Sequence, residues 1–192
     1  ACEASLEPDG TARLSSFSLV NGSSRVSLTG GTRFDLTGTM GMNRDCPLSL
    51  EVLTFDVRLG DFSETLSGRV TLDGGLGGSM MYPAGALRLS ASALDLGFQK
   101  LDAIMLTADA RGGRIYFDPL TIVFAPCETA RIEGWVSPTG AYRLSATADG
   151  ISLSGNSYAG RAGMNGRLGI DLEGEGTFTN PAAKGTLTLF CG

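Results

Sequence analysis

The amino-acid sequence predicts an all-β protein with mainly antiparallel strands. Almost every apolar cluster alternates with polar residues at a period of two, the pattern of strands that bury one face. These clusters recur about every ten residues, and Gly, Pro, Asn or Asp stands at the breaks, as in antiparallel meanders. No stretch has a convincing helical period, so a helical fold is disfavoured.

Each predicted strand is one of these alternating runs. In chain order the runs are 25–29, 33–37, 47–52, 69–73, 87–90, 94–96, 115–117, 120–124, 142–144, 151–153, 168–172 and 187–189. The best helix candidate is 101–110, but its apolar residues fit a period of two at least as well. Turns are predicted at the glycine run 74–78, and hairpin corners at the Asp-Gly pairs 9–10, 73–74 and 149–150.

Composition excludes several classes of function. The 192 residues carry 15 Lys+Arg, scattered singly among 20 Asp+Glu, so no basic stripe is present to bind nucleic acid. The sequence has no His, which removes the usual proton shuttle and the commonest metal ligand. Cys2, Cys46, Cys127 and Cys191 form no CxxC pair, so a metal site is disfavoured. Either disulfides or free buried thiols fit these cysteines, depending on the compartment.

The termini suggest that the chain is a piece of a longer protein. It begins at Ala1 without Met, and it ends directly after an alternating run. No apolar run approaches the roughly 20 residues of a membrane helix, and no signal peptide stands at the start. Any membrane anchor or export signal is therefore expected outside this segment.

Two parts of the chain look like copies of one another. The run 87–93 (LRLSASA) echoes 142–148 (YRLSATA), and 67–72 (SGRVTL) echoes 165–170 (NGRLGI). Apolar residues from Leu48 to Leu59 align in phase with those from Tyr142 to Leu153, an offset of 94 by subtraction. We therefore expect residues 1–192 to form one continuous repeat segment, with units at about 10–97 and 113–192. Stacked units predict an elongated shape.

A family resemblance rests on the same phrases. The run 174–189 (GEGTFTNPAAKGTLTL) resembles the recurrent phrase G-x-G-T-hydrophobic-x-N-P-x3-G-x-hydrophobic of TamB-like proteins. Residues 113–122 (GRIYFDPLTI), leading to 132–134 and 142–153, are similar to the phrase that follows it in that family. The first 60 residues fit the pattern more loosely. The chain thus resembles the TamB/AsmA-like envelope proteins over most of its length.

This resemblance implies a U-shaped β-sheet trough with an apolar concave face that holds phospholipid acyl chains. It also implies a periplasmic segment of an inner-membrane-anchored protein that supports lipid transport and outer-membrane biogenesis. An outer-membrane β-barrel partner would bind through regions outside this segment. No cofactor and no catalytic residue are expected. The implied groove lining consists of Leu48, Leu50, Val52, Val57, Leu59, Val70, Leu72, Leu87, Leu89, Leu94, Leu96, Ile115, Phe117, Ile122, Phe124, Ile132, Tyr142, Leu144, Ile151, Leu153, Leu168, Ile170, Leu172, Leu187 and Leu189.

Two other classes of function compete with this interpretation. Strand alternation is the same in a closed β-sandwich or β-solenoid of a secreted or surface protein, which would have a dry core and no lipid. An enzyme is disfavoured, because a catalytic triad has no His and a Ser-Lys dyad has only Lys100 and Lys184 to draw on. Glu173 and Glu175 share a strand face, but they are expected to be solvated charges rather than a glycosidase pair.

Overall fold

Within the described residues, twelve strands form one open antiparallel sheet. The computed structural model describes residues 1–8, 10–33, 47–79 and 81–190. Strands that follow one another in sequence are also neighbours in the sheet, from β1 at one edge to β12 at the other. Strand accounts for 75% of the structure and helix for 6%, and the sheet does not close. The prediction of an all-β, elongated and curved sheet is confirmed.

The strands are long, mostly 9 to 13 residues. Their bounds are β1 Cys2–Leu6, β2 Thr11–Asn21, β3 Ser24–Arg33, β4 Leu48–Arg58, β5 Ser67–Gly78, β6 Pro83–Asp95, β7 Lys100–Arg111, β8 Arg114–Ala125, β9 Glu128–Val136, β10 Ala141–Ser152, β11 Arg167–Thr177 and β12 Ala183–Phe190. At a strand spacing of about 4.8 Å, twelve strands extend about 53 Å across the sheet. The predicted strand at 101–110 is confirmed as part of β7.

The connections divide between two ends of the sheet. The lower end carries the connections 22–23, 59–66, 96–99, 126–127 and 153–166, whereas the upper end carries 7–10, 79–82, 112–113, 137–140 and 178–182. Short 3-10 helices, Leu59–Asp61 and Leu153–Gly155, directly follow β4 and β10 at the lower end. They begin 94 residues apart by subtraction. The single α-helix of the described residues, α1 (Ser157–Arg161), also lies at this end.

One sheet runs through the predicted joint between the two sequence units. Asp109 to Arg111 belong to β7, and Gly112-Gly113 form the two-residue turn to β8. The ladder therefore continues from the first unit into the second without a break. The division into units at 10–97 and 113–192 stays a prediction.

Several predicted turns lie inside strands. Gly74 to Gly78 belong to β5, where Gly74 pairs with Val52 and Leu87, so the predicted turn there is wrong. The predicted corner at Asp73-Gly74 is wrong for the same reason. Asp149-Gly150 lies within β10, where the register shifts between Ala148 and Ile151, so it forms a bulge rather than a hairpin corner. Gly10 does lie in the turn from β1 to β2, and Asp9 falls outside the described residues.

Three further predictions fall on residues outside the described part of the chain. They concern the predicted strand 33–37 after Arg33, the thiol of Cys46 and the thiol of Cys191. Cys2 and Cys127 are exposed free thiols.

The apolar core is small and local. Ala91, Leu94 and Leu101 form a buried cluster near the lower end, in which Leu94 is 5% and Leu101 7% exposed. The chain exposes 11851 Å², whereas a compact 19.9 kDa monomer exposes about 8,700 Å². An excess of this kind is consistent with an open sheet, which leaves much of its surface uncovered.

Candidate functional site

Strand register gathers the apolar side chains onto one face of the sheet. Residues directly opposite in an antiparallel ladder point to the same side. Leu89 lies opposite Leu72 on β5 and Leu106 on β7, and Ala146 lies opposite Ile132 on β9 and Leu172 on β11. The same matching holds along the sheet, so the half-buried runs combine into one surface, here called the apolar face.

The implied groove-lining residues lie on this apolar face or at its lower end. Leu59 and Leu153 begin the two 3-10 helices, and Leu96 lies in the connection from β6 to β7. The remaining residues lie on strands: Leu48, Leu50, Val52 and Val57 on β4, Val70 and Leu72 on β5, Leu87, Leu89 and Leu94 on β6, Ile115, Phe117, Ile122 and Phe124 on β8, Ile132 on β9, Tyr142, Leu144 and Ile151 on β10, Leu168, Ile170 and Leu172 on β11, and Leu187 and Leu189 on β12. Their role as a lipid lining stays a prediction.

Sequence reasoning missed the contributions of β2, β3 and β7 to this face. Phe17 on β2 lies opposite Leu28 on β3, which in turn lies opposite Val52. On β7, Ile104 lies between Ala91 and Ile122. The same period-two alternation marks these residues in the sequence, so the signal for them was present.

Most of the apolar face is only half-buried. Glycines interrupt it, because Leu144 lies between Gly134 on β9 and Gly174 on β11. Phe117 on β8 also lies opposite Gly134. Large side chains thus stand beside glycines, and the ring of Tyr142 lies against Gly174.

Among the residues that the structure describes, the apolar face is covered near its lower end and uncovered near its upper end. Of the seven buried apolar residues in the described part of the chain, six lie in the lower halves of their strands, namely Val26, Ala91, Leu94, Leu101, Ala148 and Ile151. Leu59 and Leu96 pack against the Ala91 cluster from two lower connections, together with Phe124 near the end of β8. The upper half of the apolar face has no comparable cover among the described residues.

Hydrogen bonds fix the lower connections in place. The Asp61 carboxylate accepts hydrogen bonds from the backbone N–H of Ser24 at 2.8 Å and from the Ser24 hydroxyl at 2.6 Å. It also accepts one from the backbone N–H of Ser23 at 3.0 Å. These bonds, led by the Ser24 hydroxyl, hold the pKa of Asp61 below its ordinary value. They tie the first 3-10 helix to the turn between β2 and β3.

A second set of contacts joins connections that lie several strands apart. The N–H of Ser157 donates to the carbonyl of Phe98 at 3.0 Å, and the Asn156 side-chain amide donates to Gln99 at 3.1 Å. The rings of Phe98 and Tyr158 lie 6.0 Å apart. The connection after β10 is thereby attached to the loop between β6 and β7, which holds the lower ends of these strands together.

The opposite face of the sheet is polar and carries ion pairs. Arg143 donates to both carboxylate oxygens of Glu175, at 3.1 and 2.7 Å, and these hydrogen bonds lower the pKa of Glu175. Glu173 pairs with Lys184 at 3.1 Å. Glu173 and Glu175 are thus exposed charges, as expected. A shallow depression of about 670 Å³ lies over these pairs.

Neither a metal site nor a membrane helix is found in the described part of the chain. No group of three or more Cys, Asp and Glu side chains there is arranged to hold a metal ion. Within 1–8, 10–33, 47–79 and 81–190, no helix has the length and apolarity to cross a membrane.

No protein-family model, curated protein sequence or solved structure matches this chain. The resemblance to TamB/AsmA-like proteins therefore stays a prediction.

Proposed function

We propose that this segment holds the acyl chains of phospholipids on its apolar face. The observation that carries the proposal is that this face crosses the whole sheet and stays half-exposed over most of its area. Full burial of one large aliphatic side chain contributes about 1.5–3 kcal/mol of favourable free energy. Covering a face this wide with an apolar ligand is therefore favourable. Acyl chains are flexible and apolar, so they can follow an uneven face on which large side chains such as Leu144 stand beside glycines.

The dimensions of the sheet suit such a ligand. An acyl chain spans one leaflet, about 15 Å, and therefore crosses about three strands at 4.8 Å each. Each methylene removed from water contributes about 0.8 kcal/mol. The head group would stay in water beyond the upper end, where the described residues leave the face uncovered, because Leu59, Leu96 and Phe124 cover the lower end.

The proposed mechanism is passive. Acyl chains would move along the apolar face while the polar face remains in water, and no bond would be made or broken. In line with the TamB/AsmA resemblance, we place the segment in the periplasm, in a bridge between the inner and outer membranes. Its anchor and its outer-membrane partner would lie outside these residues, and they would supply direction and energy.

The test measures the lipid that the protein retains. The purified chain is incubated with vesicles of phosphatidylethanolamine and phosphatidylglycerol, separated from them and examined by native mass spectrometry. We expect bound phospholipid with the wild type and at least tenfold less with Leu144→Asp, because a carboxylate in hydrocarbon costs about 2.5–3.5 kcal/mol. Thr147→Asp is the matched control, since Thr147 is exposed on the polar face opposite Arg131.

Circular dichroism separates loss of binding from loss of folding. Both variants are expected to keep the β-sheet signal of the wild type. Wild-type protein that retains no lipid contradicts the proposal, as does equal retention by the two variants. Unfolding of Leu144→Asp with a lipid-free wild type would favour a closed, purely structural module instead.

A further inference from the structure

Two arginines flank the turn from β7 to β8 at the upper end of the sheet. Arg111 and Arg114 form the last pair of this ladder, so both side chains lie on the same face. It is the polar face, because Arg114 is two positions before Tyr116, and Tyr116 lies opposite Trp135. Trp135 in turn lies opposite Arg143, which carries one of the ion pairs of that face. Like charges directly opposite each other in a ladder are unfavourable, which makes the pair of exposed arginines unusual.

An aromatic ring positions each of the two guanidinium groups. The guanidinium carbon of Arg111 lies 4.8 Å from the ring centre of Tyr116. That of Arg114 lies 4.0 Å from the ring centre of Trp135. Such cation–π contacts attract a guanidinium group to the face of the ring. Because Tyr116 and Trp135 are opposite each other on β8 and β9, at a backbone distance of about 5 Å, the two stacked pairs stand side by side.

No described side chain neutralises the charge of Arg114. Arg111 donates to the Asp109 carboxylate at 3.2 Å, whereas no carboxylate in the described ranges forms an ion pair with Arg114. Glu133, on the same face of β9, lies two positions below Trp135 and so about 7 Å farther from the upper end. A guanidinium group stacked on a ring keeps the N–H donors at its edge accessible. Arg114 therefore retains both its charge and its donors for a ligand.

The turn beside this pair presents no side chain of its own. Gly112 and Gly113 connect Arg111 to Arg114, with φ of +58° and +71°. Gly113 lies against the ring of Tyr82, which flanks the turn on one side. A Cβ on Gly112 would meet nothing within 4 Å, so the described residues leave the space above it open. A group beyond the upper end of the apolar face can therefore reach the two arginines across Gly112.

We propose that Arg111 and Arg114 bind a phosphate group at the upper end of the polar face. Two neighbouring guanidinium groups present planar sets of N–H donors that match the oxygens of one phosphate, and its negative charge removes the repulsion between them. A carboxylate fits less well, because a single guanidinium group already occupies both of its oxygens. The phosphate belongs either to a phospholipid head group or to a soluble phosphate compound. Only the first source rests on the proposed function, in which the head group stays beyond the upper end.

The fluorescence of Trp135 measures binding at this site, because Arg114 lies over its ring and the sequence has one tryptophan. Inorganic phosphate is titrated over the millimolar range, with sodium chloride at equal ionic strength as the reference. We expect a saturable change with phosphate alone, and about tenfold weaker binding in Arg111→Gln, which removes charge-assisted hydrogen bonds but keeps the reporter. Arg131→Gln is the matched control and should bind as the wild type, since Arg131 is exposed on the same face four positions below Trp135. A response that chloride reproduces overturns the proposal, as does equal affinity of Arg111→Gln and the wild type.

A second titration separates the two sources of the phosphate. It compares glycerophosphoglycerol, a head group without acyl chains, with dihexanoyl phosphatidylglycerol below its micelle concentration. If the source is a lipid, the short-chain lipid should bind at least about tenfold more tightly, because each buried methylene adds affinity, and Leu144→Asp should remove this difference. Equal affinities that both weaken in Arg111→Gln support the site with a soluble phosphate compound as its ligand. Phosphate binding by a chain that retains no lipid contradicts only the proposed function, whereas lipid retention without phosphate binding contradicts only this inference.

Discussion

Replacing two leucines by alanine, one at each kind of position on the apolar face, tests whether the sheet is open in solution. Leu101 is 7% exposed, lies opposite Leu94 and belongs to the buried cluster. Its truncation removes buried methyl groups and leaves a cavity, which costs about 2–5 kcal/mol in well-packed cores. We expect about 3 kcal/mol for Leu101→Ala, because neighbours at the end of a sheet relax partly into the space.

Leu144→Ala removes the same side-chain atoms as Leu101→Ala, but from a position on the half-buried part of the apolar face. Leu144 is half-buried and has glycine opposite it on both sides, so its truncation leaves no enclosed cavity. Half of the 1.5–3 kcal/mol for burying a leucine gives about 1 kcal/mol. The two variants should therefore differ by about 2 kcal/mol in the free energy of unfolding.

Urea denaturation measures this difference with two probes. Circular dichroism follows the strands, and the fluorescence of Trp135, the one tryptophan of the sequence, reports on β9. With a slope of about 2 kcal/mol per molar urea, the midpoint should fall by about 1.5 M for Leu101→Ala and about 0.5 M for Leu144→Ala. Equal shifts would mean that Leu144 is packed as tightly as Leu101. The open apolar face would then be wrong.

Two further predictions concern the backbone and the lower connections. Gly134→Ala should destabilise the protein by about 3 kcal/mol in urea, because Gly134 has a φ of +135° and a Cβ would collide with the carbonyl oxygen of Arg143. Gly160→Ala, with nothing within 4 Å of the added atom, should change stability by less than about 1 kcal/mol, and a similar loss in both would contradict this reasoning. Asp61 should make stability depend on acid: its folded pKa lies below the ordinary 3.8, so its contribution is complete above that value and is lost as the pH falls through the folded pKa. Asp61→Asn should lower the urea midpoint at pH 7, and its midpoint should then decrease less than that of the wild type between about pH 5 and pH 2. Parallel curves of midpoint against pH for the two proteins would contradict this role of Asp61.

The period-two pattern was enough to predict the sheet but not where its strands turn. Residues 101–110 have a composition that tolerates a helix, and their alternation still predicted β7 correctly. Glycine does not mark a hairpin at Gly74 or Gly150, because it permits a positive φ inside a bent or bulged strand as readily as in a hairpin. A glycine run therefore predicts a change of direction without distinguishing a bend from a reversal.

The asymmetry between the two ends of the apolar face was not predictable from the sequence. It arises from contacts between distant connections, such as Asp61 with Ser24 and Asn156 with Gln99. No local pattern marks either pair, since each residue alone is an ordinary turn residue. The strand face of each apolar residue could be predicted because alternation is local, whereas its degree of cover depends on these long-range hydrogen bonds.

The topology itself argues against the closed sandwich that sequence alternation left open. Two packed sheets require the chain to leave one ladder and begin another, or to turn a corner where pairing breaks. Here each strand pairs with its sequence neighbours from β1 to β12, and the register shifts at β4/β5 and β7/β8 bend the ladder without ending it. Apolar residues on the same face of one unbroken sheet can cover each other only where the sheet itself curves. The described structure achieves that cover near Leu94 and Leu101, where lower connections add Leu59 and Leu96. Over the remaining strands, the apolar face stays half-buried or exposed in the described residues.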